Sequence, residues 1–345
     1  MAMTDTKIQT RTAPNGVMLR PATVDDADAV ADLFNACSMA LNGRPETTAE
    51  WLKADWDASN YDMDEDTRVA VAPDGALVGY ADLYSGYARG TRLFSWVRIH
   101  PDWAESPLGT LLMDWLEGRA HRAVPHAPEG SRVTLIMSAD NNDTTRTTLA
   151  RRRGMNELRY FWHMLIEFDG PPPAPAVPDG ITIRPMREGE ERAVFAAGDE
   201  AFEDHFGHVP EPFEQAFNRW WKDVTGNPIF DPSLFFVAEA ADGELAGVSL
   251  CWDHLPEDTE RGWVGMLGVR RPWRRQGLAL ALLHHSFGAF YERGRMRAGL
   301  GVDADSLTGA TRLYEKAGMH VSREFTQFGK VLREGEDLSV QTLEG

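Results

Sequence analysis

Twice along the chain, apolar and polar positions follow the same course. The stretch "GVMLRPATVDDADAVADLF", from Gly16, begins as a short alternating strand. It passes an Arg-Pro and an acidic helix start, then becomes a helix with apolar residues every three or four positions. "GITIRPMREGEERAVFAAG", from Gly180, does the same. Further on, "VAVAPDGALVGYADLY" from Val69 and "VAEAADGELAGVSLCW" from Val237 each read as a β-hairpin, turning at Asp74-Gly75 and Asp242-Gly243. "IHPDWAESPLGTLLM" from Ile99 parallels "VRRPWRRQGLALALL" from Val269, and "TTLARRRGM", ending at Met155, parallels "TRLYEKAGM", ending at Met319. Paired landmarks stay 164 to 170 residues apart in all four blocks, which marks a duplicated domain.

Each copy predicts a strand, one or two helices, a hairpin, a central strand, a helix, a strand, a helix and a long last strand. That order implies an α/β protein, with each copy a mixed sheet flanked by helices. Between the copies lies "DGPPPAPAVPDG", where five prolines favour an extended connection and rule out a continuous helix or strand. The expected organisation is a first domain at 1–168, a linker at 169–180 and a second domain at 181–345.

Composition narrows the class. With 345 residues, 43% hydrophobic and 26% charged, the chain reads as a soluble globular protein of two domains. Residues 1–16 are polar and lack the apolar centre of a secretory signal, and no run of 18 apolar residues occurs. Cys37 and Cys251 form neither a disulfide framework nor a metal-ligand pattern. A cytoplasmic location without membrane partners is expected. The net charge of −18 disfavours nucleic acid and suits a cationic small substrate.

Against that acidic background, "LGVRRPWRRQGLALALLHH" from Leu267 puts four arginines in six positions where a strand turns into a helix. A helix N-terminus offers unpaired N–H groups and the positive end of the macrodipole. Arg274, Arg275 and a backbone left open by Gly277 complete an anion site that a pyrophosphate would fit. No GxxxxGK[ST] run exists. The GxGxxA match at Gly299 to Ala304 sits in a strand pattern instead of opening a helix, so it does not read as a dinucleotide site.

"RRQGLA", from Arg274, resembles the [RQ]-x-x-G-x-[GA] loop of the GNAT superfamily of acyl-CoA N-acyltransferases. "DADSLTGATRLYEKAGM", from Asp303, resembles that family's companion helix. The tandem order is most similar to mycothiol-synthase-like actinobacterial double-GNAT proteins. The resemblance implies acetyl-CoA as cosubstrate, no metal, and a small-molecule primary amine as acceptor, in a monomer or homodimer. It implies that backbone groups of Leu267, Gly268 and Val269 pair with the pantetheine arm. The N–H groups of Gln276, Gly277, Leu278 and Ala279 would cradle the pyrophosphate, with Arg274 and Arg275 adding charge-assisted contacts. Tyr314 matches the family's proton donor to the departing thiolate. Ser306 stands where the family has an asparagine.

The attacking amine must lose a proton. Some relatives use a glutamate on the central strand, but "RGWVGM" holds no carboxylate. The nearby alternatives are Glu200, Glu203, Asp204, His205, His208, Glu239, Asp253 and His254. "EDHFGH" lacks the outlying ligands of a zinc site, and His284 and His285 read as structural residues of the cofactor helix. In the first copy "RRQGLA" becomes "AESPLG": both arginines are gone, Glu105 adds negative charge, and Pro107 removes an N–H donor. Ala150 replaces Tyr314. The first domain is therefore expected to be a retained scaffold and the second an acetyl-CoA-dependent N-acetyltransferase. Two other classes stay open: a non-catalytic acyl-CoA sensor or scaffold, and a transferase using aminoacyl-tRNA, the latter opposed by the acidic charge.

Overall fold

The computed structural model describes residues 11–12, 16–306 and 309–341. Most of the polar stretch 1–16, and Leu307 and Thr308 of the companion segment, lie outside them.

The first copy runs β1 (Arg11–Thr12), β2 (Met18–Arg20), α1 (Ala27–Asn42), α2 (Ala49–Trp56), α3 (Met63–Asp66), β3 (Thr67–Val71), β4 (Leu77–Tyr84), β5 (Arg92–Ile99), α4 (Leu108–Ala123), β6 (Val133–Asp140), α5 (Thr144–Arg152) and β7 (Asn156–Glu167). The second runs β8 (Ile181–Pro185), α6 (Glu191–Phe202), α7 (Phe213–Gly226), β9 (Phe235–Ala240), β10 (Leu245–Trp252), β11 (Arg261–Val269), α8 (Leu278–Glu292), β12 (Arg297–Asp303), α9 (Ala310–Lys316) and β13 (His320–Arg333). From β2 to β7, apart from the short α3, the elements recur in the same order as β8 to β13. Both predicted hairpins form, β3 with β4 and β9 with β10, and Gly75 and Gly243 take φ values of 90° and 86° in their turns.

The repeated Arg-Pro has a physical reason. Arg20 grips Asp26 with two parallel hydrogen bonds of 2.7 and 2.6 Å, and Arg184 grips Glu190 with two of 2.7 Å. Each acid also accepts from a main-chain N–H at the head of its helix, that of Thr23 or Arg187. The motif thus locks the end of the first strand to the start of the first helix in each copy.

The described residues form two compact units, and they do not divide at the proline-rich segment. One unit takes the chain up to Glu157 and then Phe328–Glu336; the other takes Leu158–Gln327 and the chain from Asp337. The expected boundary at 168 is corrected by strand pairing. Antiparallel bonds join β7 to β12 from Glu167↔Arg297 to Phe161↔Asp303, so the last strand of the first copy completes the second unit's sheet. The tail of β13 works the other way: Phe328 is fully buried in the first unit's core, and Lys330 pairs with Glu117. Residues 169–180 carry no helix or strand.

In the second unit the strand order is β13-β7-β12-β11-β10-β9-β8. One face packs on α8 and α9 through Phe287, Phe290, Leu300 and Val302, the other on α6 and α7 through Val194, Ala197, Val248 and Leu250. Fully burying a phenylalanine of this kind is worth about 1.5–3 kcal/mol. In the first unit α4 covers one face through Leu112, Met113 and Leu116, and α1 and α2 cover the other through Val30, Phe34, Leu52 and Trp56. Among the described residues no helix is long and apolar enough to cross a membrane.

Candidate active site

In the second unit, β11 changes partners along its length. Its parallel pairing with β12 covers only Arg261 to Val264 against Arg297 to Leu300. Its antiparallel pairing with β10 continues to Gly247↔Val269, with a register shift that leaves Gly265 as the extra residue of a bulge. Beyond Val264 the two parallel strands separate, and Leu267, Gly268 and Val269 line a cavity of about 400 Å³ in that opening. Gly268 has to be small there, because a Cβ would stand 2.8 Å from Cβ of Ala201 on α6.

The arginine loop forms the cavity's mouth. Arg274, Arg275, Gly277, Leu278 and Ala279 all line it. Arg275 and Gly277 adopt left-handed φ values of 63° and 85°, Gly277 caps α8, and nothing lies within 4 Å of where its Cβ would be. No side chain caps the helix, so its first N–H groups stay open toward the cavity. Arg274 is held rather than loose: its guanidinium donates to the Val269 carbonyl at 3.0 Å, the Ala201 carbonyl at 3.2 Å and Asp204 at 2.5 Å. Two predicted cofactor residues do not line the cavity. Gln276 turns its side-chain amide to the Pro272 carbonyl, and the Ser306 hydroxyl accepts from the Ala310 N–H at the head of α9.

Tyr314 lies on α9, buried, and lines the same cavity with Gly309, Ala310 and Leu313. Burial pushes its phenol up to about 12. His205, just past α6, lines it too; burial, and then the charge of Arg274, push its imidazole below the ordinary value. The other proposed bases are engaged elsewhere. Hydrogen bonds from Arg271 and Arg274 hold Asp204 down to about 2, which makes it a tether for the loop, and Glu203 pairs with Arg271. Glu239 is held low by Arg184, and Glu200 pairs with Arg270. Burial raises the Asp253 carboxyl, but hydrogen bonds from Arg295 and His254 outweigh it and leave the group low. His208 does not line the cavity. His284 and His285 lie on α8 against Phe287 and Phe236.

The first unit repeats the strand separation, since β5 pairs with β6 only as far as Ser95↔Met137. There the side chains differ. Arg98, at the position of Gly268, is buried with its guanidinium on Glu46 at 2.6 Å and over the Phe34 ring at 4.8 Å. Ser106 accepts from the Leu108 N–H at the head of α4, and Ala150 is fully buried in place of Tyr314. Titration should therefore give one acetyl-CoA per chain. Glu105→Arg should create no second site, because Arg98 and Pro107 remain; two sites of comparable affinity in calorimetry would overturn this assignment.

The acetyltransferase (GNAT) family matches residues 196–319. A mycothiol acetyltransferase of Thermobispora bispora is 30% identical over 301 residues, covering 86% of this chain and 93% of its own, and one of Streptomyces bingchenggensis is 30% identical over 71% and 75%. The chain belongs to the tandem GNAT acetyltransferases. A GCN5-related N-acetyltransferase from Sphaerobacter thermophilus, 36% identical, superposes with a TM-score of 0.78 over 94% of this chain and 99% of its own. A tandem GNAT protein of the clavulanic acid pathway, at 14% identity, shares the fold with a TM-score of 0.67. Acyl-CoA is the donor class of this family, and the GNAT match falls wholly in the second copy, around the open cavity.

Proposed function

We propose that the second unit transfers an acetyl group from acetyl-CoA to a small-molecule primary amine by direct attack in a ternary complex. The observation that carries this reading is the continuous cavity running from the α8 N-terminus and Arg274 to Tyr314. The pyrophosphate sits on the open N–H groups, and the pantetheine arm runs along the unpaired edge of β11. The amine nitrogen bonds to the thioester carbonyl carbon, the C–S bond breaks, and the thiolate takes the Tyr314 phenol proton. His205, neutral and in the same cavity, accepts the proton that the amine nitrogen gives up.

The names of the curated relatives make amines related to mycothiol the first acceptors to try. An amine panel with acetyl-CoA, read as free thiol release, should give one class of acceptor with turnover well above hydrolysis. Thiol release that no amine accelerates would sink the reading.

A further inference from the structure

The two groups given proton-transfer roles above stand on segments with little structure of their own. His205 lies just past α6 in a loop, 203–212, that holds neither helix nor strand. Tyr314 rides on α9, a helix of only 7 residues. Such segments keep one geometry only where outside contacts fix them.

One side chain reaches both. Arg159, on β7, sets its guanidinium against the two Asp303 carboxylate oxygens, at 2.9 Å each, and donates to the Asp305 carbonyl at 2.7 Å. Asp303 ends β12, and it accepts from the N–H groups of Asp305 and Ser306, both at 3.0 Å. Ser306 in turn accepts from the N–H groups of Gly309 and Ala310 at the head of α9. The same guanidinium lies 4.2 Å from the centre of the Phe206 ring, beside His205 in the chain. Arg159 and Asp303 are both largely buried, so desolvation offsets much of their attraction. What the planar fork adds is direction, which a lysine ammonium does not supply.

Taking the roles given above to Tyr314 and His205, we propose that Arg159 is a positioning residue for the transfer. It clamps the approach to α9 and the His205 loop to one point, so that acid and base face the thioester from fixed places. Arg159 itself does not line the cavity. It belongs to the strand that the first copy's chain adds to the second unit's sheet, so that copy serves the reaction through β7.

Arg159→Ala should still bind one acetyl-CoA per chain with near-parent affinity, because the arginine loop is untouched. Its kcat should fall by about 10²-fold, the effect of a small misplacement of reacting groups. The acid limb of its pH–rate profile should move up as well. Burial, then Arg274 and more weakly His208, hold the His205 imbalance low against Asp303 and Asp204, and a loosened loop lifts that burial. Amide hydrogen exchange reads the clamp with no acceptor present, so it still decides the clamp if the parent acetylates no amine and the transferase reading falls. Arg159→Ala should speed exchange at Gly207, whose N–H donates to the Val340 carbonyl, and along Ala310–Lys316. Arg159→Lys keeps a charge on Asp303 without a planar face over Phe206. It should speed exchange at Gly207 alone and recover part of kcat, and it covers the case in which Arg159→Ala fails to fold. Parent-like exchange at Gly207 in Arg159→Lys would overturn the proposal, and so would parent-like exchange or parent kcat in a folded Arg159→Ala.

Discussion

Arg274→Glu is expected to lower acetyl-CoA affinity by more than tenfold without unfolding the chain. Charge-assisted hydrogen bonds are worth about 1.5–3 kcal/mol each, and about 1.4 kcal/mol is a factor of ten. The variant loses such bonds and sets a second carboxylate beside Asp204, which Arg274 now holds at 2.5 Å. The variant also gives up the bonds to Val269, Ala201 and Asp204, so circular dichroism alongside the titration should show the chain still folded. Gly277→Pro should be at least as damaging for a different reason. Proline is fixed near φ −65°, and Gly277 sits at 85°, so the loop that aims the first N–H groups of α8 cannot form. Calorimetry with acetyl-CoA checks both, and parent-like binding in either variant would remove the loop from the cofactor site.

Tyr314→Phe carries the second large effect. The ring keeps its buried place on α9, so acetyl-CoA affinity should stay near the parent value. Turnover should fall by about 10²–10⁴-fold, the usual worth of a general acid. Because burial raises the phenol to about 12, it stays protonated through the ordinary assay range. A pH–rate profile should thus show no alkaline limb from Tyr314 below about pH 11. Unchanged turnover, in an assay where chemistry limits the rate, would sink the role.

Much of this site was legible in the residues. The helix opening at Leu278 and the open backbone at Gly277 follow from local signals, a basic turn, a glycine and an alanine-leucine helix, whereas the separation of β11 from β12 depends on which strands pair. The glycines of the rejected GxGxxA match do lie in strand β12, where Gly299 makes room for the Trp263 ring. What could not be read depends on contacts far apart in sequence. Asp204 looked like a base and is an arginine tether, because its partners are Arg271 and Arg274, about seventy residues on. Ser306, expected among the cofactor residues, also accepts from the Ala310 N–H at the head of α9, a contact the sequence did not announce. Arg98 went unread, because its meaning lies in burial on Glu46, more than fifty residues before it in the chain.

The boundary between units was hidden for a related reason. A strand's own pattern tells which of its faces is buried, not which sheet receives it. The prolines at residues 169–180 mark where the duplication joins, but β7 has already entered the second unit's sheet before them.

That exchange governs how the protein is made. A ribosome releases the first copy long before Phe328 and Arg333, yet Phe328 belongs to that copy's core, and Arg333 bonds the carbonyls of Val124, Pro128 and Ser131. The first unit therefore waits, incomplete, for nearly the entire chain to be synthesised, with part of its core still exposed to water. The second copy, cut free at the prolines, would leave the β12 edge without β7 and open to pairing with other chains. A first copy that lends out a strand and borrows one back cannot be trimmed away by deletion without exposing a sheet edge in the second unit.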